Sequence, residues 1–129
     1  LYENSGGTRG TTIMGRPVVI LTTIGAKSGG LRKTGLMRIE HEGVYAIVGS
    51  NGGAEKDPGW VHNVEMHPHV ELQDGPSKHD YMARKASGTE RDQWWRRAVD
   101  AWPDMETYQS NTSRELPIFV LDVWSPANS

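Results

Sequence analysis

The pattern of hydrophobic and polar positions changes period several times along the chain, and each change marks an element. PVVILTTI (17–24) is apolar and β-branched, bounded by Pro17 and Gly25, which predicts a buried strand. GLMRIEH (35–41) alternates, with Met37 and Ile39 on one face and Arg38 and Glu40 on the other, the period of a half-buried strand. After a turn at Glu42-Gly43, VYAIVG (44–49) is again continuously apolar. Three consecutive strands with short connections predict an antiparallel meander. Residues 1–15 are polar and glycine-rich without a period and are expected to be irregular.

The second half mixes the two periods. Asp57-Pro58 reads as a helix start, an N-cap acceptor followed by a residue that lacks the N–H a first helical position cannot use. That helix runs through Trp60, Val61 and Val64 and stops before Pro68. VELQ (70–73) and HDYMARKA (79–86) are strands around a turn at Asp74-Gly75-Pro76. Thr89 opens a second helix, with Asp92 in its first turn and a broad apolar face of Trp94, Trp95, Ala98, Val99, Ala101 and Trp102. Pro103 ends or kinks it, and LPIFVLDVW (116–124) is the last strand. The order β-β-β-α-β-β-α-β leaves no room for the crossovers of a parallel sheet. A mainly β, α+β fold results: a small barrel of about six antiparallel strands with helices packed outside, in one domain over 1–129.

Composition narrows the function classes. A chain of 129 residues can bury about two-thirds of its surface, so it needs no staples. It has no cysteine, which excludes disulfides, thiolate metal sites and cysteine nucleophiles. No apolar run approaches the roughly 20 residues of a spanning helix, so no stable membrane insertion is expected. Leu1 in place of methionine suggests a removed N-terminal segment; a cytoplasmic location is expected, with membrane association through that segment as the alternative. Net charge is −2, against a general nucleic-acid binder. Yet Asn4 to Ile39 contains no acid and six bases, so the remainder carries −8. This segregation is either a local anion-attracting field or an accident of composition.

Candidate chemistry follows from that basic third. GAKSGGLRKTG (25–35) is not a nucleotide P-loop: Arg32 occupies the glycine required before Lys33-Thr34, and a strand follows instead of a helix. His41, His62, His67, His69 and His79 show no metal-ligand spacing, and even His67-Pro68-His69 reads as solvated loop histidines, so no metal is expected. What remains is anion-binding material. Lys27, Arg32 and Lys33 flank a glycine-rich turn whose backbone N–H groups can approach a ligand, and Arg32 can grip a phosphate bidentately. A second loop, Ser50-Asn51-Gly52-Gly53, leaves a strand near Lys56, and Trp60 could cover a flat ring. Two such loops with an aromatic suit a long cofactor with phosphate at one end and rings at the other. Two ordinary hairpin turns with solvated lysines give the same pattern.

LTTIGAKSGGLRKTGLMRIEHEG, VGSNGGAEKDPGWVHNVEMHPHVELQ, TERDQWWRRAVDAWPDMETYQ and ELPIFVL resemble the deazaflavin (coenzyme F420)-dependent nitroreductase family of actinobacteria, from about Val18 to Leu121. The resemblance implies a split β-barrel related to flavin-mononucleotide-binding oxidoreductases. It also implies reduced F420 delivering hydride from C5 to electron-poor small molecules: α,β-unsaturated esters and lactones, quinones or nitroaromatics. Carried over, the cofactor residues are Ala26, Lys27, Ser28, Arg32, Lys33, Thr34, Gly35, Leu36 and Met37. The strand-end loop adds Val48, Gly49, Ser50 and Asn51, and the helix start adds Gly59, Trp60, Val61 and Asn63. Trp102, Met105 and Tyr108 fall on the substrate side. The departures are Ala26 where arginine is common, Asn51 where some members have lysine, and a tyrosine cluster of which only Tyr108 is kept.

Hydride transfer builds negative charge on a carbonyl oxygen, which needs a donor, and Tyr108 and Ser50 are the side-chain candidates. The rival readings are an FMN-dependent split-barrel oxidoreductase, a non-catalytic F420 carrier, and a nucleic-acid-binding barrel using the basic third. A monomer or a homodimer is expected.

Overall fold

The computed structural model describes residues 12–13 and 16–124. The strands are β1 (Thr12–Ile13), β2 (Arg16–Ile24), β3 (Leu31–Met37), β4 (Ile39–His41), β5 (Val44–Val48), β6 (His69–Asp74), β7 (Ser77–Lys85) and β8 (Ile118–Val123). The helices are α1 (Gly59–Met66), α2 (Gly88–Ala101) and α3 (Asp104–Ser110), and a short 3-10 turn covers Asn51–Gly53. Every strand pairing is antiparallel, in the order β1-β2-β6-β7-β8-β5-β4, with β3 paired to β2. The expected irregular segment 1–15 lies outside the described residues, except that Thr12–Ile13 form a strand against Arg16–Pro17.

The curled antiparallel sheet with its three helices is a split β-barrel, but not through the expected meander. The 35–41 stretch divides at Arg38 into β3, which pairs with β2, and β4, which pairs with β5. Its alternation survives, since Met37 and Ile39 both meet the same core cluster. Alternation reports the face of a residue and says nothing of which neighbour the backbone bonds. The bend is fixed by contacts distant in sequence. The Arg38 N–H donates to Pro17 O (3.1 Å), and its guanidinium donates to the Asp74 carboxylate (2.9 Å). The Tyr45 hydroxyl also donates to that carboxylate, and burial together with Asp74 pushes the Tyr45 phenol up to about 12.

β5 and β8 lie between two cores. Ile47, Phe119 and Leu121 join Val19, Leu21, Val70 and Leu72 in the barrel interior, which α1 covers with Trp60, Val61 and Val64. Ala46, Val48, Ile118 and Val120 join the other cluster, closed by Trp94, Ala98, Trp102 and Met105 from α2, α3 and their junction. Strands buried on both faces need continuous apolar runs, which is why VYAIV and IFVL do not alternate. Arg84 ties α2 to the sheet through Glu90 and Asp122 (2.6 and 2.7 Å).

Three local expectations change. Pro58, not Asp57, occupies the cap of α1, and Asp57 instead pairs with the Arg114 guanidinium (2.6 Å). Helix α2 begins at Gly88 after Ser87, with Glu90 in its first turn, and Ala101 is exposed. Pro103 does end α2, but α3 follows at once. His69 is not a solvated loop residue: it begins β6, stacks on Trp124 (4.9 Å between centroids) and meets Asp80 at 3.3 Å. Among the described residues no helix is long and apolar enough to cross a membrane, and no three metal-ligating side chains are gathered.

Candidate active site

A cavity of about 300 Å³ fills the split in the barrel. One bank is β3, which has a ladder partner on only one side. Thr34, Gly35, Leu36 and Met37 all line the cavity, and four consecutive residues are more than one face of a strand supplies. The strand therefore presents its open backbone edge. The opposite bank is the end of β5 and the loop after it: Val48, Ser50, Asn51 and Gly52. Pro58, Trp60, Trp102 and Tyr108 also line the space. The Trp60 ring is held edge-on by Phe119, with centroids 5.9 Å apart.

The polar groups here are few and specific. Ser50 is only 6% exposed, its hydroxyl bonds to no described residue, and it lines the cavity. Tyr108 accepts a hydrogen bond from the Trp102 indole N–H at 3.3 Å, which leaves the phenol proton to donate elsewhere. The 3-10 turn and α3 are pressed together: a Cβ on Gly53, whose φ is +83°, would sit 2.6 Å from Tyr108 O. Only glycine permits that approach.

The basic loop lies beyond the upstream end of β3. The Gly25 N–H donates to Gly30 O (2.7 Å) and the Gly29 N–H to Gly25 O (2.9 Å). Ser28 Oγ accepts from Gly30 N–H and from the Arg32 guanidinium, both at 3.1 Å. Asn63 on α1 anchors the loop, since its Oδ1 accepts the Ala26 N–H (2.9 Å) and its amide donates to Thr23 Oγ1 (3.0 Å). Lys27, Ser28 and Arg32 are exposed, and Arg32 stands two residues, or ~6.6 Å, up the strand from Thr34.

Of the site residues expected from sequence, Thr34, Gly35, Leu36, Met37, Val48, Ser50, Asn51, Trp60, Trp102 and Tyr108 meet at this one cavity. Ala26, Lys27 and Ser28 are on the loop before β3 and Arg32 is on β3 itself, and none of the four lines the cavity. Lys33 is on the other side of the alternation and lines a separate pocket with Thr22, Glu71, Lys78 and Asp80. Val61 and Met105 are core residues, 1% and 0% exposed. Gly49 fits between Pro117 and Val61, both within 2.8 Å of where its Cβ would be, and Gly59 begins α1. Val18 and Pro58 line the cavity without having been expected, and Gly52 lines it as part of the second glycine-rich loop. Gly52 and Pro58 adjoin expected residues, whereas Val18 carries only the signal of a strand residue.

The sequence profile of the F420H(2)-dependent quinone reductase family matches residues 1–123. An F420H(2)-dependent quinone reductase of Mycobacterium tuberculosis (strain H37Rv) is 34% identical over 125 residues, covering 94% of this chain and 84% of that protein. A solved F420-H2-dependent reductase, FDR-A, is 45% identical with a TM-score of 0.78, over 88% of this chain and 100% of that one. A solved structure described as a domain-swapped dimer is 44% identical with a TM-score of 0.81, over 92% and 89% of the two chains. The chain belongs to the F420H(2)-dependent quinone reductase family, and is an oxidoreductase whose cofactor is coenzyme F420.

Proposed function

We propose that this chain, acting as a single domain, reduces quinones and related electron-poor small molecules, such as α,β-unsaturated esters or lactones and nitroaromatics, in the cavity of the barrel split. The observation that carries the reading is the convergence of an open strand edge, a serine hydroxyl bonded to no described residue and a tyrosine whose proton is not used within the described residues on one largely apolar space. Its volume is at the lower end of the roughly 300–1,000 Å³ usual for small-ligand sites. A ring system fits there. A phosphate-bearing chain would have to leave along β3, toward Lys27 and Arg32.

When bound, reduced F420 supplies a hydride, that is, both electrons of the reduction. The protein's own residues do the rest. Trp60, Leu36 and Val48 exclude water and orient the ring, and the β3 edge and Ser50 offer it hydrogen bonds. Lys27 and Arg32 attract the anionic chain, and Ala26 and Ser28 border its path. Gly49, Val61, Asn63 and Met105 act by holding these residues in place. As hydride arrives, a carbonyl oxygen of the substrate becomes negative. The Tyr108 O–H, its oxygen already fixed by Trp102, donates to that oxygen, and a proton from solvent completes the quinol.

Fluorescence titration with F420 and with flavin mononucleotide, followed by a panel of quinones, enones and nitro compounds, tests the reading. Tight F420 binding, no flavin binding and quinone turnover are expected. Tight binding with no reduction across the panel would identify a carrier instead. The domain-swapped relative supports a homodimer, which sedimentation would reveal as twice the mass of the chain.

A further inference from the structure

The Ser50 loop keeps its shape through a cation that does not itself line the cavity. Arg114 lies on the segment between α3 and β8, with 16% of its side chain exposed. Its Nε–H donates to Ala54 O (2.8 Å), Nη1 to Gly49 O (3.1 Å) and to the Asp57 carboxylate (2.6 Å), and Nη2 to Ser50 O (2.9 Å). Its own segment is fixed by Gln109, which donates to Arg114 O (2.7 Å) and accepts the Leu116 N–H (3.1 Å). Ser50 O also accepts the Gly53 N–H at 2.8 Å, so the guanidinium reinforces the 3-10 turn from outside.

The consequence for the cavity follows from peptide geometry. In a trans peptide the C=O and the following N–H point in opposite directions. Drawing the Gly49 and Ser50 carbonyls onto the guanidinium turns the N–H groups of Ser50 and Asn51 the other way. Ser50 and Asn51 line the cavity, and Arg114 does not. Neither N–H donates to a described residue. We propose that Arg114 is a positioning residue for the reaction. Through two consecutive carbonyls it aims the Ser50 and Asn51 N–H groups, with the Ser50 hydroxyl, at an acceptor oxygen on the ring edge of the bound cofactor. The inference rests on the cavity being the F420 site. Lysine cannot replace Arg114, because three carbonyls and a carboxylate in separate directions require the planar fork of donors. Asp57 completes the clamp by neutralising the charge.

The test uses Arg114→Lys and Arg114→Gln in the full chain, each with and without Ser50→Ala. Amide hydrogen exchange without ligand reads the loop directly. Arg114→Lys is expected to speed exchange at Gly49, Gly53 and Ala54 while the β6–β7 amides keep their wild-type rates. F420 affinity, read by fluorescence quenching, should fall by about tenfold, the equivalent of one ordinary hydrogen bond. Adding Ser50→Ala should cost less in the Arg114 variants than in wild type. Wild-type exchange and affinity in both Arg114 variants would overturn the proposal. So would faster exchange spread evenly over both cores, which would mark a merely structural residue. If the wild-type protein fails to bind F420, the assignment of the cavity falls, and the exchange measurement still decides whether Arg114 sets the loop.

Discussion

The two glycine-rich loops beside the cavity are built from similar residues and held in opposite ways. Gly25–Gly30 is exposed at its tip, Lys27 to Gly29, so its cation reaches solvent, and a few local bonds around Ser28 with the Asn63 side chain keep its shape. Gly49–Asp57 has its first two residues buried, and it is clamped by a guanidinium from 57 to 65 positions away. The first loop can capture charge at long range with little precision. The second places hydrogen-bonding groups in a low-dielectric space, where small displacements matter more. On the proposed reading attraction and orientation fall to different loops, and substitutions should separate them.

The largest expected effect falls on the clamped loop. Gly53→Ala combines a positive φ with a Cβ inside contact distance of the Tyr108 backbone. It should cost about 2–4 kcal/mol of stability by denaturant titration and lower activity by displacing α3. Next is Tyr108→Phe. Removing the donor should lower quinone turnover by about tenfold to a hundredfold with F420 affinity unchanged; wild-type turnover would show that Tyr108 is not the donor. On the exposed loop and the start of β3, Lys27→Ala and Arg32→Ala should each weaken F420 binding by about fivefold, the value of roughly one kcal/mol of attraction in water. Those losses should shrink as salt is added, and melting temperatures should not move. The smallest effect is Ser28→Ala, expected to change stability by no more than about 0.5 kcal/mol, as for an exposed side chain. A large stability loss there would erase the contrast between the loops.

Much of this was legible in the sequence because it is periodic. The continuous runs of β5 and β8 report burial on two faces, and the glycine-rich loops announce themselves by composition. The bend at Arg38 was not legible, because a strand that changes partner keeps its alternation. Asp57 before Pro58 reads equally well as a cap or as a partner for a distant cation, and only the fold brings Arg114 to it. Arg114 itself sits in TSREL, where nothing local distinguishes it from a solvated arginine. Lys27, Arg32 and Lys33 look alike as a cluster, yet the strand sends Lys33 to the opposite face from Arg32.

The sharing of β5 and β8 between two cores has a consequence for how such a protein can diversify. Odd positions 47, 119 and 121 face the barrel interior with Trp60, and even positions 46, 48, 118 and 120 face the layer that carries Trp102 and Tyr108. A lineage can therefore repack the helical layer through one parity of two strands while the other parity is inherited unchanged. Of the even positions Val48 also lines the cavity, whereas 46, 118 and 120 can change beneath Trp102 and Tyr108 without touching the barrel interior.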